Sequence, residues 1–308
     1  LSLTDHHLTS ECIAIIGDAL RATPLAAPLP VTTLALESCG ISDEDGAILL
    51  RKLRDNPYIE QLFLSGNELA LESCKALAEC MAMQASNVFT VVQLGYNAVT
   101  PACVELLQES VSRHRRLQSL SLHGNLQLSD SGCAILCDSL RTDTLQMLNL
   151  AGTNLRGVEL SHLCRLIQES VVLAELILAQ NYLSDEAIPP LSTALEESAS
   201  LRTLDLSYNC FGKGESFALG ECLARNKTIV QLNLAGNLLS TRTVEAIAAG
   251  LEHNHSLVAL DFSRCCLNDD DLRILVAVSG ARPDVTAAFG MLTAATHVLM
   301  EFFSHRVS

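Results

Sequence analysis

The pattern L-x-L-x-x-N/C-x-L recurs along this chain, and no other feature limits its fold as strongly. The first apolar residue of the pattern falls at Leu1, Leu34, Leu62, Val92, Leu120, Leu148, Leu176, Leu204, Leu232 and Leu260. From Leu34 onward the spacing is 28 residues, with one step of 30 between Leu62 and Val92. A fixed period of this length predicts a stack of similar units, each too thin to bury its own apolar side. The first step, Leu1 to Leu34, is longer by five residues, and the excess falls in the loop-like stretch around Pro24, Pro28 and Pro30. The excess of the 30-residue step falls near Met83 to Asn87.

Each unit splits into two patterns. Leu204-Asp-Leu206 leads to Asn209 and Phe211, and Leu232-Asn-Leu234 leads to Asn237 and Leu239. This alternation predicts a short strand with one buried face. With the anchor counted as position one, positions 13, 16, 17 and 20 are mostly apolar. Position 16, for example, gives Leu49, Leu77, Leu107, Leu163, Leu191 and Leu219. Spacings of three and four put these side chains on one helical face. The unit anchored at Leu120 matches after one inserted residue near Gln127. Ser42, Thr100, Ser129, Ser184, Ser240 and Asn268 stand where helix N-caps belong, and Pro101 follows Thr100 at the first helical position. Ser42 with Asp45 resembles a capping box.

Strand, turn, helix and loop, repeated, predict an α/β right-handed solenoid. Its inner sheet is parallel, with ten or eleven strands, and its outer layer is helical. Helices are wider than strands, so the stack bends into an arc.

The period and the L-x-x-L-x-L-x-x-N/C-x-L core resemble the ribonuclease-inhibitor class of leucine-rich repeats. The resemblance covers residues 1 to about 280 in ten copies. It implies a non-enzymatic scaffold that binds other proteins, a subunit or domain of a larger assembly. Two alternatives stay open within the family. One is a GTPase-activating regulator of the Ran type, which needs an exposed arginine in a strand-to-helix loop, and Arg156 and Arg242 lie in such loops. The other is the ligand-sensing repeat region of a NOD-like receptor.

The chain divides into repeats over 1–284 and a terminal unit over 285–308. In that unit Val285, Ala287 and Leu292 resemble a shortened eleventh strand. Thr293 to Arg306 reads as an amphipathic helix carrying Val298, Leu299, Phe302 and Phe303 on one side, a cap over the last layer or, as the alternative, a dimer or partner-binding face. The opposite end has no such cap, since Leu1, Leu3 and Leu8 already fit a repeat in progress. Further chain or a partner is expected to cover it. The first residue is Leu1, so a fragment of something longer is expected.

The formal net charge is −15 and lysine is limited to four residues. Such a surface repels phosphate backbones and anionic membranes, so neither nucleic acid nor membrane is expected as a partner. The twelve cysteines form no C-x-x-C pair. They read as buried thiols of a reducing compartment, placing the chain in the cytoplasm. Cys39 and Cys265 fall at position six, the usual Asn of the turn. Cys74 and Cys133 share position 13, and Cys80 and Cys222 share position 19. All six read as structural.

Other motifs reduce to the repeat. Asn226-Lys-Thr228 and Asn254-His-Ser256 match the glycosylation acceptor pattern, yet they lie 28 apart and share a place with Asn56. They read as helix-end residues. Asp269-Asp270-Asp271 suits the first turn of a helix. Gly212-Lys213-Gly214 lacks phosphate-loop spacing, and His6-His7 and His162-Leu163-Cys164 lack further ligands. No metal, cofactor or catalytic group is expected.

The resemblance implies the concave face as the candidate site, with the helical outer surface or an end of the array as the alternative. The outward residues of the concave face include Glu37, Phe63, Gln93, Tyr96, His123, Glu175, Asp205, Tyr208, Asp261 and Arg264, separated by small ones at Ala35, Ser65, Gly95, Ala151, Ala179 and Ala235. The face is mildly acidic with a few aromatic anchors.

Overall fold

The structure is a computed structural model that describes residues 1–21, 29–82, 88–212, 217–281 and 285–288. Among the described residues ten strands alternate with ten α-helices: α1 (Ser10–Leu20), β1 (Thr33–Ala35), α2 (Asp43–Leu53), β2 (Gln61–Phe63), α3 (Leu71–Ala82), β3 (Val91–Gln93), α4 (Pro101–Arg113), β4 (Ser119–Ser121), α5 (Ser129–Ser139), β5 (Met147–Asn149), α6 (Leu160–Glu169), β6 (Glu175–Ile177), α7 (Ile188–Glu197), β7 (Thr203–Asp205), α8 (Phe217–Arg225), β8 (Gln231–Asn233), α9 (Thr241–His253), β9 (Ala259–Asp261), α10 (Asp269–Ala281) and β10 (Thr286–Ala288). The strands form one open parallel sheet in chain order. Its register runs through the anchors: Leu34 pairs with Leu62, Leu62 with Val92, and so on to Leu260 with Ala287. The unit at Leu1 joins by a single bridge, Ser2 to Ala35, with the Leu3 amide donating to the Ala35 carbonyl. The expected capping helix over 293–306 and the insertion near Met83 to Asn87 lie outside the described residues.

Anchors and helix faces meet in one core that is continuous from Ile13 to Val278. Three-residue strands are too short to hold neighbouring units in register by themselves, and the turns supply the rest. Asn67, buried, accepts the Cys39 and Ile41 amides and donates to the Leu36 and Leu64 carbonyls. Asn181 and Asn237 make the same four bonds one repeat to the next. Cys39 and Cys265 fill this place by donating their thiols to Leu3 and Leu234 carbonyls at 3.0 and 3.2 Å. Thr153 keeps only the bond inside its own turn, to the Leu150 carbonyl.

A second ladder runs along the helix ends. Asn56, Asn226 and Asn254 donate to the Leu20, Leu195 and Leu223 carbonyls of the preceding helices and accept amides two and three residues ahead. Asn226 and Asn254 are 2% and 1% exposed, so neither amide can carry a glycan. His114 holds the same position, with Nδ1 accepting the Arg116 and Leu117 amides. Its Nε2 is buried without a partner among the described residues. Burial, reinforced by the charge of Arg116, pushes its pKa down to about 4.

A base with a lowered folded-state pKa leaves stability intact above its unfolded value of about 6.5. Below that the unfolded chain takes up a proton that the folded chain refuses. Stability is therefore lost as pH falls from about 6.5 towards 4, by up to about 3 kcal/mol. Unfolding midpoints measured across that range should show this slope in the native chain. They should show less of it in His114→Asn, which installs the residue found at the equivalent positions.

Acidic residues in the first helical turns serve the neighbouring unit. The Asp43 carboxylate accepts the Ala70, Glu72 and Ser73 amides at the start of α3. Burial opposes its ionisation, but these hydrogen bonds outweigh that and hold its pKa below the usual range. Asp130 likewise receives the Arg156 and Gly157 amides. The N-cap expectations hold unevenly. Ser42, Ser240 and Asn268 accept amides from the first turn, and Asn268 and Asp271 cap each other reciprocally. Thr100 and Ser184 have extended cap backbones, but neither side chain makes a capping bond to a first-turn amide. Ser129 is not a cap. It is the first residue of α5, with φ 56°, because the inserted residue near Gln127 requires a left-handed step before the helix can start.

Candidate protein-binding face

The sheet presents two side chains per strand to solvent, and the turn after each strand adds a third. Phe63, Gln93, Asp205 and Asp261 end β2, β3, β7 and β9, and Glu175 opens β6. Glu37 and His123 lie just past β1 and β4, and all seven are partly exposed. Tyr96, Tyr208 and Arg264 stand on the strand-to-helix edge and are exposed. The structure gathers five of these residues into two groups rather than one, and Phe63, Gln93, Tyr208 and Arg264 belong to neither.

The first group is aromatic. The Tyr96 and His123 rings meet edge to face at 4.8 Å, and His123 Nδ1 lies 2.8 Å from Ser121 Oγ. Burial lowers the His123 pKa despite the charge of Glu37, so the ring is neutral at physiological pH. A Cβ on Gly95 would fall 2.1 Å from that ring, so glycine is the residue that admits His123 to this face. The second group is acidic. Glu175, Asp205 and Asp261 line a shallow depression of about 380 Å³ together with Ile177 and Asn233. Asp205 and Asp261 each spend Oδ1 on an amide two residues ahead, at 2.8 and 2.7 Å. Their carboxylates are therefore fixed before anything binds.

The turn residue at position five explains the tyrosines. Its φ is positive in every described copy of the turn, including Asp5, Ser38, Tyr96, Gln180, Tyr208 and Arg264 alongside Gly66, Gly124, Gly152 and Gly236. For a side chain other than glycine this backbone costs on the order of 1 kcal/mol. Tyr96 and Tyr208 accept that cost and lay their rings over Gly124 and Gly236 of the next turn, where a Cβ would come within 2.4 and 2.5 Å of ring carbons. Both remain exposed, at 61% and 43%. Between them position five is Gly124, Gly152 and Gln180, so two rings flank a low saddle.

The sequence pattern missed a set of residues farther out on this edge. Leu126, Val158, Tyr182 and Leu238 are all exposed and lie in the loops that lead to the helices. Strand alternation does not reach them. The readable signal was three large apolar residues, Leu126, Tyr182 and Leu238, at position seven, where other repeats carry Gly40, Glu68 or Ala98.

Twelve free thiols are present, nine of them buried. Burial pushes Cys80 and Cys222 up to about 12, and Cys265 up to about 11. Cys103 moves the other way, to about 6, through hydrogen bonds from Cys74 and Thr100, but it is 1% exposed. Among the described residues no group of three His, Cys, Asp or Glu could hold a metal ion, and no helix is long and apolar enough to cross a membrane.

A family model described as Leucine Rich repeat matches residues 197–214 and 253–274. Pig ribonuclease inhibitor is 27% identical over 276 residues, covering 81% of this chain and 60% of the relative. The chain carries leucine-rich repeats and is similar to proteins of the ribonuclease-inhibitor-like class. Mouse ribonuclease inhibitor is 25% identical over 283 residues, covering 82% of the leucine-rich-repeat chain and 61% of the relative. A cattle NACHT, LRR and PYD domains-containing protein 5 is 26% identical over 256 residues, covering 82% and 23%. The chain thus spans less than two thirds of each of these three relatives.

Proposed function

We propose that this leucine-rich-repeat protein is a non-enzymatic scaffold within a larger assembly and holds another protein on its concave face, between Tyr96 and Tyr208. The observation that carries this reading is the pair of tyrosines kept in left-handed backbone. The fold needs nothing larger than glycine at position five, and both rings stand exposed beside a floor of small residues. Rigid aromatic anchors next to partly desolvated polar groups are the usual source of interface energy. The fixed carboxylates of Asp205 and Asp261, with Glu175 lining the same depression, suit basic groups on that partner and disfavour nucleic acid. The buried thiols suit a reducing compartment such as the cytoplasm.

A photo-crosslinking residue at Gln93 or Asn233 should give a discrete protein adduct in cells, while one at Glu105 or Glu221 on the helices should give none. Tyr96→Ala and Tyr208→Ala should each weaken the captured complex roughly 30-fold, the effect of losing about 2 kcal/mol at an anchor. Adducts from the helical positions alone would overturn the reading. The similarity to NACHT, LRR and PYD domains-containing proteins supports a second reading, in which the repeats are the sensing region of a larger regulatory chain. The same cross-links, found within one polypeptide rather than to another, would distinguish it.

A further inference from the structure

The loop between β5 and α6 differs from its neighbours. Helix α6 starts at position 13, three residues later than α2, α5, α9 and α10; α7 starts at the same position but a 3-10 turn over Asp185–Ala187 fills the gap there, whereas residues 153–159 run as a loop. Asn154 and Gly157 adopt φ of 63° and 85°, and Asp130 of the preceding unit accepts the Arg156 and Gly157 amides at 2.8–3.2 Å. The loop is fixed by its neighbour, yet it buries little at its tip. Val158 is 80% exposed, and Leu126 and Tyr182 on the adjoining loops are 69% and 57% exposed. The Arg156 guanidinium lies over the Tyr182 ring, 5.8 Å from its centre.

Exposed apolar side chains thus stand on three successive loops, with one oriented cation among them, outside the concave face. Stacking on a ring pre-organises the planar guanidinium and leaves its N–H edge for a bidentate acceptor. Among the described residues, the strand-to-helix loops from Tyr96 to Gly212 carry no other Lys or Arg. One positive fork beside Asp130 and Glu159 suits a single carboxylate and disfavours a doubly charged phosphate. A carboxylate alone would leave Val158 and Leu126 in water, so the complementary ligand also brings an aliphatic or aromatic group.

We propose that this rim is a second protein-docking site, and that it takes a peptide segment of another protein bearing an Asp or Glu within two residues of a large apolar side chain. The carboxylate receives the Arg156 fork and the apolar side chain covers Val158, Leu126 and the open face of Tyr182. This site does not depend on the concave-face reading.

The test is selection of a displayed library of random 12-residue peptides on the whole chain, with depletion on Val158→Glu. Enriched peptides should share an acidic residue next to a large apolar one. Their affinity, measured on synthetic copies by fluorescence anisotropy, should fall at least tenfold in Arg156→Ala and in Val158→Glu. It should fall less in Arg156→Lys, which keeps charge but not the fork, and stay within twofold in Tyr96→Ala. Both altered loop residues are exposed, and unchanged thermal midpoints would confirm that folding is intact. No enrichment, a consensus without acid, binding indifferent to Arg156→Ala, or loss in Tyr96→Ala would each overturn the proposal.

Discussion

Asn237→Ala should lower the stability of the array by about 4 kcal/mol, although the change touches no apolar contact. The side chain is 0% exposed and makes four bonds to backbone groups. It donates to Leu206 and Leu234 carbonyls at 3.0 and 2.8 Å and accepts the Asn209 and Phe211 amides at 3.2 Å each. Alanine offers none of these. Each stranded group costs about 1–3 kcal/mol, reduced where water enters the space the amide vacates. The groups belong to two successive turns, so the loss falls on the interface that makes separate repeats into one cooperative body. Asn237→Cys is the informative comparison. Cys265, in the next turn, already keeps the bond across the interface to Leu234 with its thiol. The cysteine variant should therefore retain more stability than alanine. Denaturant unfolding reads the total, and hydrogen exchange in β7 to β9 reads its location. A loss under 1 kcal/mol for the alanine variant would mean that strand pairing and core packing, not the turn ladder, couple the units.

This ladder also marks what the sequence could and could not tell. The period showed that a polar residue recurs at position six and that Cys can replace Asn, so the strands, their order and their register followed directly. The helix-end ladder was legible too, because Asn56, Asn226 and Asn254 share a place. His114 at that place was missed, since a ring nitrogen accepting amides does not look like an amide in sequence. The cross-repeat caps were equally hidden. Nothing in the sequence around Asp43 and Asp130 marks them for this role, and only the stacking shows that their carboxylates bind the next unit's amides. On the candidate face, alternation identified which strand residues point outward. It did not show that Tyr96 and Tyr208 share a left-handed turn, nor that each depends on a glycine one repeat later. The outer rim was missed because it obeys neither the strand period nor the helix period. A loop side chain such as Val158 has no periodic neighbour to betray its exposure.

Glycine substitutions in two adjacent helical layers should have opposite signs. Within a helix, Gly→Ala ordinarily adds up to about 1 kcal/mol of stability, because glycine carries the larger backbone entropy cost. Gly280→Ala in α10 should follow that rule, since among the described residues nothing lies within 4 Å of the added Cβ. Gly250→Ala in α9 should break it. Its Cβ would fall 2.2 Å from the Gly220 carbonyl oxygen of α8, and a Cβ on Gly220 would fall 2.1 Å from the Ala246 oxygen. These are backbone atoms, so no side-chain rotation relieves the clash. The helices must separate instead, which loosens Leu219, Leu223, Ile247 and Leu251 in the core between them. Overpacking of this kind costs about 1–3 kcal/mol, and it must first cancel the gain in helix propensity. A net loss of about 2 kcal/mol is expected for Gly250→Ala, and more for Gly250→Val. The consequence reaches the concave face. Close helices on the outside mean less bend on the inside, and α8 and α9 lie behind the strands β7 to β9 that carry Asp205 and Asp261. Prying them apart should tighten the arc at the acidic depression and weaken partner binding there more than at Tyr96. Thermal unfolding of the three variants, with cross-linking efficiency from Asn233 and Gln93 compared in Gly250→Ala, separates the stability effect from the change in curvature. Equal losses at the two positions would show that the helix spacing does not set the shape of the face.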